Sequence, residues 1–108
     1  MANTYTQIHI QTVFCAENRG SLIKPEWKDE LYKYVTGIVQ NKGHKLLIIN
    51  GMPDQVHLFF GFRTTQSFAE LMQEVMEDSP KWINQNKFTK QKFSWQVGYR
   101  VFLTANPM

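Results

Sequence analysis

The segment "LLIINGMPDQVHLFFGF" (46–62) holds two apolar runs separated by a short turn. The first run is continuous and aliphatic, and the second is rich in branched and aromatic residues, which favours buried strands. Between them, "GMPD" (51–54) combines the glycine, proline and aspartate that are typical of turns. The segment therefore predicts a β-hairpin with strands over 44–50 and 55–62.

An amphipathic helix is predicted on each side of this hairpin. Before the hairpin, Pro25 opens a stretch with apolar residues three or four positions apart, and Gly43 ends it. After the hairpin, Ser67 and Glu70 have the spacing of a capping box, and a second apolar stripe follows. Pro80 removes a backbone donor and crowds the preceding turn, so we expect the second helix to kink or restart there.

The two ends of the chain predict the remaining strands. Residues 5–14 alternate apolar and polar side chains, the pattern of a strand with one buried face. Residues 92–105 predict one long strand with a common face made of Phe93, Trp95, Val97, Tyr99 and Val101. The order β-α-β-β-α-β predicts a single α+β, ferredoxin-like domain over 1–108: a four-stranded antiparallel sheet with both helices on one face.

Side-chain alternation in this fold predicts a polar patch on the uncovered face of the sheet. Right-handed crossovers place the first and third strands side by side at the centre, which gathers His9, Gln11, Gln55 and His57. Gln55 and His57 project from the same face, the spacing of a pair of metal ligands. An amide oxygen is a weak, neutral ligand, which weakens a metal site here. The alternative for His57 is a hydrogen-bonded strand histidine.

The composition is that of a single folded domain. The 108 residues are 43% hydrophobic and 14% aromatic, without a low-complexity segment. Cys15 is the only cysteine, which suits a reducing compartment, and we expect the cytoplasm. The longest aliphatic run, at 46–49, is too short to span a membrane, and the N-terminus lacks a signal-peptide pattern. No membrane partner is expected.

A mild positive charge permits nucleic-acid binding without requiring it. The net charge is +3, and residues 88–100 interleave cations with aromatics and contain no acid. Such a segment suits phosphate contacts and base stacking. The alternative is a solvated lysine loop before a half-buried strand.

Four segments of the chain match the motifs of one known family. The segment "DQVHLFF" (54–60) is similar to a motif of histidine, hydrophobic residue and histidine, with residues 55–57 in its three places. The other segments, also in the family's order, are "VFCAENRGSLI" (13–23), "SFAELMQEVMEDSPKWINQNKF" (67–88) and "KFSWQVGY" (92–99). Together they resemble the single-tyrosine HUH transposases of small bacterial insertion sequences, the IS200-like family with its REP-associated relatives.

The resemblance implies DNA chemistry. Members of this family recognise a hairpin in single-stranded DNA, and a tyrosine on a later helix attacks the scissile phosphate to form a 5′-phosphotyrosine link. A divalent metal, Mg²⁺ or Mn²⁺, held by the histidine pair polarises that phosphate. Because the family works as dimers, the implied partners are single-stranded or hairpin DNA and a second copy of the chain.

This sequence departs from the family pattern at two places. Gln55 replaces one histidine of the pair, and the sequence stops at "RVFLTANPM" (100–108), where the family continues into the tyrosine helix. No tyrosine matches the nucleophile, so we assign no catalytic residue and expect no strand cleavage. The resemblance then implies an inactive remnant that retains DNA binding, with Gln55 and His57 as weak metal ligands.

DNA contacts are expected from side chains that bind phosphates or stack on bases. These are Asn18, Arg19, Arg63, Lys87, Lys90, Lys92 and Trp95. Each phosphate contact adds about one unit to the salt dependence of binding. Two other interpretations stay open: an RNA-binding or regulatory module, since RNA recognition motifs share this element order, and a ligand-free dimer paired through its exposed final strand.

Overall fold

A computed structural model of the chain describes residues 7–17, 22–62 and 67–106. Within these ranges the element order is β-α-β-β-α-β, which confirms the predicted ferredoxin-like α+β fold. The elements are β1 (Gln7–Cys15), α1 (Pro25–Asn41), β2 (Lys45–Met52), β3 (Gln55–Gly61), α2 (Phe68–Gln85) and β4 (Arg100–Asn106). Neither helix in the described ranges combines the length and the apolar character needed to cross a bilayer.

The strands form one antiparallel sheet in the order β2-β3-β1-β4. β1 and β3 occupy its centre, as right-handed crossovers predict. The core lies between the sheet and the helices, where Phe14, Leu58 and Phe60 of the central strands meet Leu31 and Leu71 of the helices. The alternate side chains of β1 and β3 therefore lie on the opposite, uncovered face.

The β2–β3 hairpin is tighter than the sequence predicts. Pairing continues to the facing ends of both strands, so the turn consists of Pro53 and Asp54 alone. Gly51 is required beside this turn because a Cβ there would collide with the carbonyl oxygen of Gln55. The tight turn thereby fixes Gln55 as the first residue of β3 and His57 as the third.

The second helix, α2, does not restart at Pro80 and does not form the predicted capping box. It runs unbroken through Pro80, although an internal proline costs about 3 kcal/mol. Val75 and Ile83, on either side of the proline, are fully buried, and such packing supplies most of a helix's stability. Ser67 is the N-cap, but its side chain makes no capping hydrogen bond, so the predicted capping box does not form.

The prediction of one strand over 92–105 is wrong in its first half. β4 begins only at Arg100, and before it Trp95 makes an isolated bridge to Ala16. Trp95 is buried whereas Val97 is fully exposed, so these two side chains do not share a face. The alternation fails because Gly98 adopts a positive φ of 91°, which interrupts the strand pleat.

Candidate nucleic-acid interface

His57 lies on the uncovered face of the sheet, in a row of paired residues that crosses all four strands. From β2 to β4 the row is Asn50, His57, Val13 and Arg100. The side chain of His57 is partly exposed, whereas Val56 and Leu58 on either side of it are fully buried against the helices. Arg100, which sequence reasoning left unassigned, thus lies on the same face as His57 with one strand between them.

Gln55 and His57 turn toward each other on this face. The Oε1 atom of Gln55 accepts a hydrogen bond from Nε2 of His57 at 2.8 Å. This contact assigns the proton of a neutral imidazole to Nε2 and leaves Nδ1 as the acceptor. The two side chains therefore form the same-face pair that their spacing predicts. Their hydrogen bond occupies the Nε2 position that a metal would need.

These two donors do not by themselves fit a dedicated divalent-metal site. They supply one imidazole and one neutral amide, whereas sites for Mg²⁺ and Mn²⁺ are built largely from carboxylates, carbonyls and water. In the described part of the chain, no cluster of three or more histidine, cysteine or carboxylate side chains is placed to share an ion. Gln55 and His57 thus offer a metal two uncharged ligands.

His9 lies on the predicted face of the sheet, where it stacks on Phe59, but it does not contact the Gln55–His57 pair. Its partner on β3 is Gly61, and its buried ring stacks on Phe59 with the centroids 5.3 Å apart. Gln11 is exposed and, with His57, lines a shallow depression of about 240 Å³. His9 therefore contributes to packing, and the accessible polar surface lies around His57.

A larger pocket opens where the chain enters β4. Gln96 donates its backbone N–H to the carbonyl of Cys15 at 2.7 Å, and Arg100 pairs with Val13. Three residues, 97–99, therefore lie opposite a single residue of β1, Phe14, and form a bulge. The space between this bulge and β1 is about 390 Å³, and its polar lining includes Gln55, Gln96, Tyr99 and Arg100.

Sequence reasoning missed this pocket, although one signal for it was present. An isolated glycine inside a strand pattern indicates a bulge or a close backbone approach, and Gly98 is such a residue. Bulges are over-represented next to functional sites because they redirect side chains and end strand pairing. Here the bulge opens a pocket whose lining includes Gln55, the hydrogen-bond partner of His57.

Three of the predicted DNA contacts lie together on the loop after α2. Lys87, Lys90 and Lys92 line a surface concavity of about 310 Å³, and all three are exposed. The loop is anchored by Asn84, whose side chain accepts the backbone N–H of Phe93 at 2.7 Å and donates to its carbonyl at 3.0 Å. We call residues 87–92 the lysine loop.

Trp95 is not placed to stack on DNA bases. Its side chain is 6% exposed, and its indole Nε1–H donates to the hydroxyl of Ser79 at 2.9 Å. Phe14 and Phe93 both pack against its ring in edge-on geometry, with centroids 4.7 Å away. The expectation that Trp95 contacts DNA is therefore wrong for this arrangement, because the residue belongs to the core.

The remaining predicted DNA contacts, Asn18, Arg19 and Arg63, lie outside the described residues. Their proposed role rests on residue type and family resemblance alone.

The sequence profile of the IS200-like transposases matches residues 4–107. The chain belongs to this family. Its structure resembles that of a candidate transposase from Deinococcus radiodurans R1, with a TM-score of 0.82 and 19% identity over 99% of this chain and 85% of that one. It also resembles a REP-associated tyrosine transposase bound to a REP hairpin, with a TM-score of 0.70 and 10% identity over 98% of this chain and 61% of that one. No curated protein matches the chain significantly.

Two tyrosines on α1, Tyr32 and Tyr34, have a pKa above the ordinary value of a phenol. Burial raises the pKa of Tyr32, with the negative charge of Asp29 as a second cause. Burial also raises the pKa of Tyr34, and the nearby carboxylates Asp78 and Glu74 add to it. A raised pKa makes a phenol a poorer nucleophile at neutral pH. Neither tyrosine is on the sheet face that carries His57.

Proposed function

We propose that this transposase-family chain binds single-stranded hairpin DNA through the lysine loop, and that its capacity for metal-dependent strand cleavage is weak or lost. The observation that carries the binding proposal is the arrangement of Lys87, Lys90 and Lys92 around one concavity. Lysines placed this way bind successive backbone phosphates and release counterions. The REP-associated transposase that this chain resembles is bound to a REP hairpin, which supports hairpin DNA as the partner proposed here.

The anchoring of the lysine loop supports this proposal. Both backbone groups of Phe93 bond to Asn84, and the ring of Phe88 stacks on Trp27 with the centroids 5.1 Å apart. These contacts hold the two ends of the loop against the core while the lysines stay exposed. A loop held in advance loses less conformational entropy when it binds a partner.

The proposal of weak cleavage rests on the Gln55–His57 pair. A metal that polarises a phosphate must be held firmly in a fixed position, and the described donors are one imidazole and one neutral amide. Binding a metal through Nε2 of His57 would also break its hydrogen bond to Gln55. We therefore expect little cleavage of a hairpin substrate in the presence of Mn²⁺.

A homodimer paired through β4 is part of the same proposal. β4 is an edge strand, and three consecutive apolar side chains on it, Val101, Phe102 and Leu103, are 39%, 52% and 70% exposed. An edge strand offers unpaired backbone groups to a second strand, and a second copy would cover these side chains around a two-fold axis. Light scattering of the purified chain tests this, since a monomer at micromolar concentration would contradict it.

Fluorescence anisotropy with a labelled DNA hairpin, titrated at several salt concentrations, tests the DNA-binding proposal. The variant in which Lys87, Lys90 and Lys92 are all changed to Gln should flatten the plot of log affinity against log salt by about two to three units. A matched control changes three exposed lysines on the first helical region, Lys24, Lys28 and Lys33, to Gln.

The control variant should keep the wild-type salt dependence, because none of its lysines lines the concavity. Equal losses in the two variants would point to general charge and not to the lysine loop. An absence of salt-dependent binding at micromolar protein would contradict DNA recognition itself.

A further inference from the structure

The first helix ends in a Schellman motif that contains a glycine. After α1, the N–H groups of Gly43 and His44 donate to the carbonyls of Gln40 and Val39, at 3.0 and 3.3 Å. The motif requires a left-handed residue directly after the C-cap, and Gly43 has a φ of 88° there. Glycine lacks a Cβ and adopts this conformation without strain. The end of α1 therefore has the residue that the motif favours.

The second helix ends in the same motif, but a lysine occupies the left-handed position. The N–H groups of Lys87 and Phe88 donate to the carbonyls of Asn84 and Ile83, at 3.1 and 3.3 Å. Lys87 has a φ of 56°, and within the described ranges it is the one residue other than glycine with a positive φ. In this conformation the Cβ of an L-residue crowds the following carbonyl oxygen. Lys87 is therefore held at a cost in stability that Gly43 avoids.

The charge of Lys87 does not require this strained position. A cation near the end of a helix interacts favourably with the last carbonyls, but a lysine at position 85 or 86 would do so with ordinary backbone angles, since the φ of Asn86 is −85°. Among the described residues Lys87 also makes no ion pair, and the one found joins Lys42 to Glu74. The stability of α2 thus gives no reason for a lysine at this position.

The two helix ends differ in the surface that follows them. Lys87 begins the lysine loop and, with Lys90 and Lys92, lines its concavity of about 310 Å³, and none of the described lining residues carries a carboxylate. The next residue, Phe88, stacks on Trp27, so the side chain of Lys87 extends from a turn that is fixed by hydrogen bonds and by packing. A contact made from a fixed turn loses less conformational entropy on binding.

We propose that Lys87 is a phosphate-binding residue that the fold holds in a strained conformation, so that stability and hairpin affinity are opposed at this position. This inference rests on the proposed function and assigns one lysine of the loop a property that the other two lack. Glycine at position 87 relieves the strain and removes the phosphate contact. At Lys90 and Lys92 no such opposition exists, because neither residue has a positive φ.

The test compares Lys87→Gln with Lys87→Gly, because both remove the ammonium group and the glycine alone also relieves the strain. In anisotropy titrations with a labelled DNA hairpin, both variants should flatten the plot of log affinity against log salt by about one unit. In urea denaturation, the midpoint of Lys87→Gly should be about 0.3–0.7 M above that of Lys87→Gln. Lys87→Arg should keep the wild-type affinity, because it keeps the positive charge.

Two matched controls separate strain from the general effect of glycine on an unfolded chain. Lys90→Gly should unfold at a lower urea concentration than Lys90→Gln, because at an unstrained position glycine only adds entropy to the unfolded state. Gly43→Ala should introduce strain at the end of α1, where a Cβ meets no atom within 4 Å. Its midpoint should fall by about 0.3–0.7 M, and its hairpin affinity should match that of the wild type.

The possible failures are distinguishable. Wild-type salt dependence and affinity in Lys87→Gln, with losses confined to variants of Lys90 and Lys92, would overturn the role of Lys87 and leave hairpin binding by the lysine loop intact. A Lys87→Gly chain that is no more stable than Lys87→Gln would overturn the opposition between stability and affinity. Failure of the wild-type chain to bind the hairpin would overturn the proposed function as well.

Discussion

The β2–β3 hairpin and the segment from Asn84 to Arg100 both carry residues of the proposed function, but they are held in different ways. The hairpin is held by backbone pairing, and β3 pairs along its length with a strand on each side. The segment before β4 has only a short stretch of backbone pairing, around Gln96, and is held in addition by side chains: Asn84 binds Phe93, and Trp95 binds Ser79. The position of His57 is therefore insensitive to most substitutions, whereas the lysine loop depends on a few buried groups.

The largest expected effect is that of Trp95→Ala on stability. The substitution removes a buried ring that packs against Phe14 and Phe93, and large-to-small changes of aromatic residues in a core cost about 3–5 kcal/mol. The free energy of unfolding, measured by urea denaturation, should fall by this amount. Val97→Ala, at a fully exposed position two residues away, should leave it almost unchanged.

Trp95→Phe separates packing from DNA contact. The smaller ring keeps part of the packing and loses the hydrogen bond to Ser79, so stability should be intermediate and hairpin affinity should be retained. A Trp95→Phe chain that is stable but has lost DNA binding would support the original expectation that Trp95 contacts DNA directly.

Asn84→Ala should have the second-largest effect. It leaves the backbone N–H and carbonyl of Phe93 without their partners, and an unsatisfied buried polar group costs about 1–3 kcal/mol. Hydrogen exchange at the Phe93 amide should accelerate, and the salt dependence of hairpin binding should weaken as the lysine loop loosens. Asn86→Ala is the control, because the bond from its exposed side chain to the carbonyl of Trp82 is worth about 0.5 kcal/mol or less.

If Asn84→Ala left the Phe93 amide as protected as in the wild type, the lysine loop would be held without the Asn84 side chain, by ring contacts and by the backbone hydrogen bonds of Lys87 and Phe88. The contrast between a hairpin held by backbone pairing and a loop held by side chains would then be wrong for the loop.

The β2–β3 hairpin is predictable from sequence because each of its signals is local. Two apolar runs, a turn sequence and the two-residue spacing of Gln55 and His57 give the strands and their shared face. The segment before β4 is not predictable in this way, since its conformation depends on partners far away in sequence. Trp95 alternates like a strand residue, but its partners are Ser79 and Phe14.

The candidate site also has a part that local sequence predicts and a part that it does not. The Gln55–His57 pair follows from strand alternation alone. The place of Arg100 in the row with His57 depends on the register of β4 against β1, and the bulge at 97–99 sets that register. Sequence reasoning that took residues 92–105 as one continuous strand therefore missed both the bulge pocket and the position of Arg100.

The smallest expected effect on stability is that of Gln55→His. This substitution tests whether backbone pairing holds the β2–β3 hairpin. Because backbone pairing fixes the first residue of β3, the change should alter the free energy of unfolding by about 1 kcal/mol or less, the net worth of one hydrogen bond. Its effect on metal binding should be larger. Two imidazoles two residues apart on one strand face form a ligand pair, and calorimetry should show Mn²⁺ affinity at least about tenfold above that of the wild type.

The matched control is Gln55→Ala, which removes the amide and supplies no new ligand. It should match Gln55→His in stability and bind Mn²⁺ no better than the wild type, so that any gain in affinity belongs to the second imidazole. Measurable and equal Mn²⁺ affinity in the wild type and Gln55→His would mean that the amide already serves as well as an imidazole, against the proposal of weak cleavage. Binding by neither chain would mean that a missing third ligand dominates. A loss of several kcal/mol in either variant would mean that the Gln55–His57 hydrogen bond, and not backbone pairing, holds the start of β3.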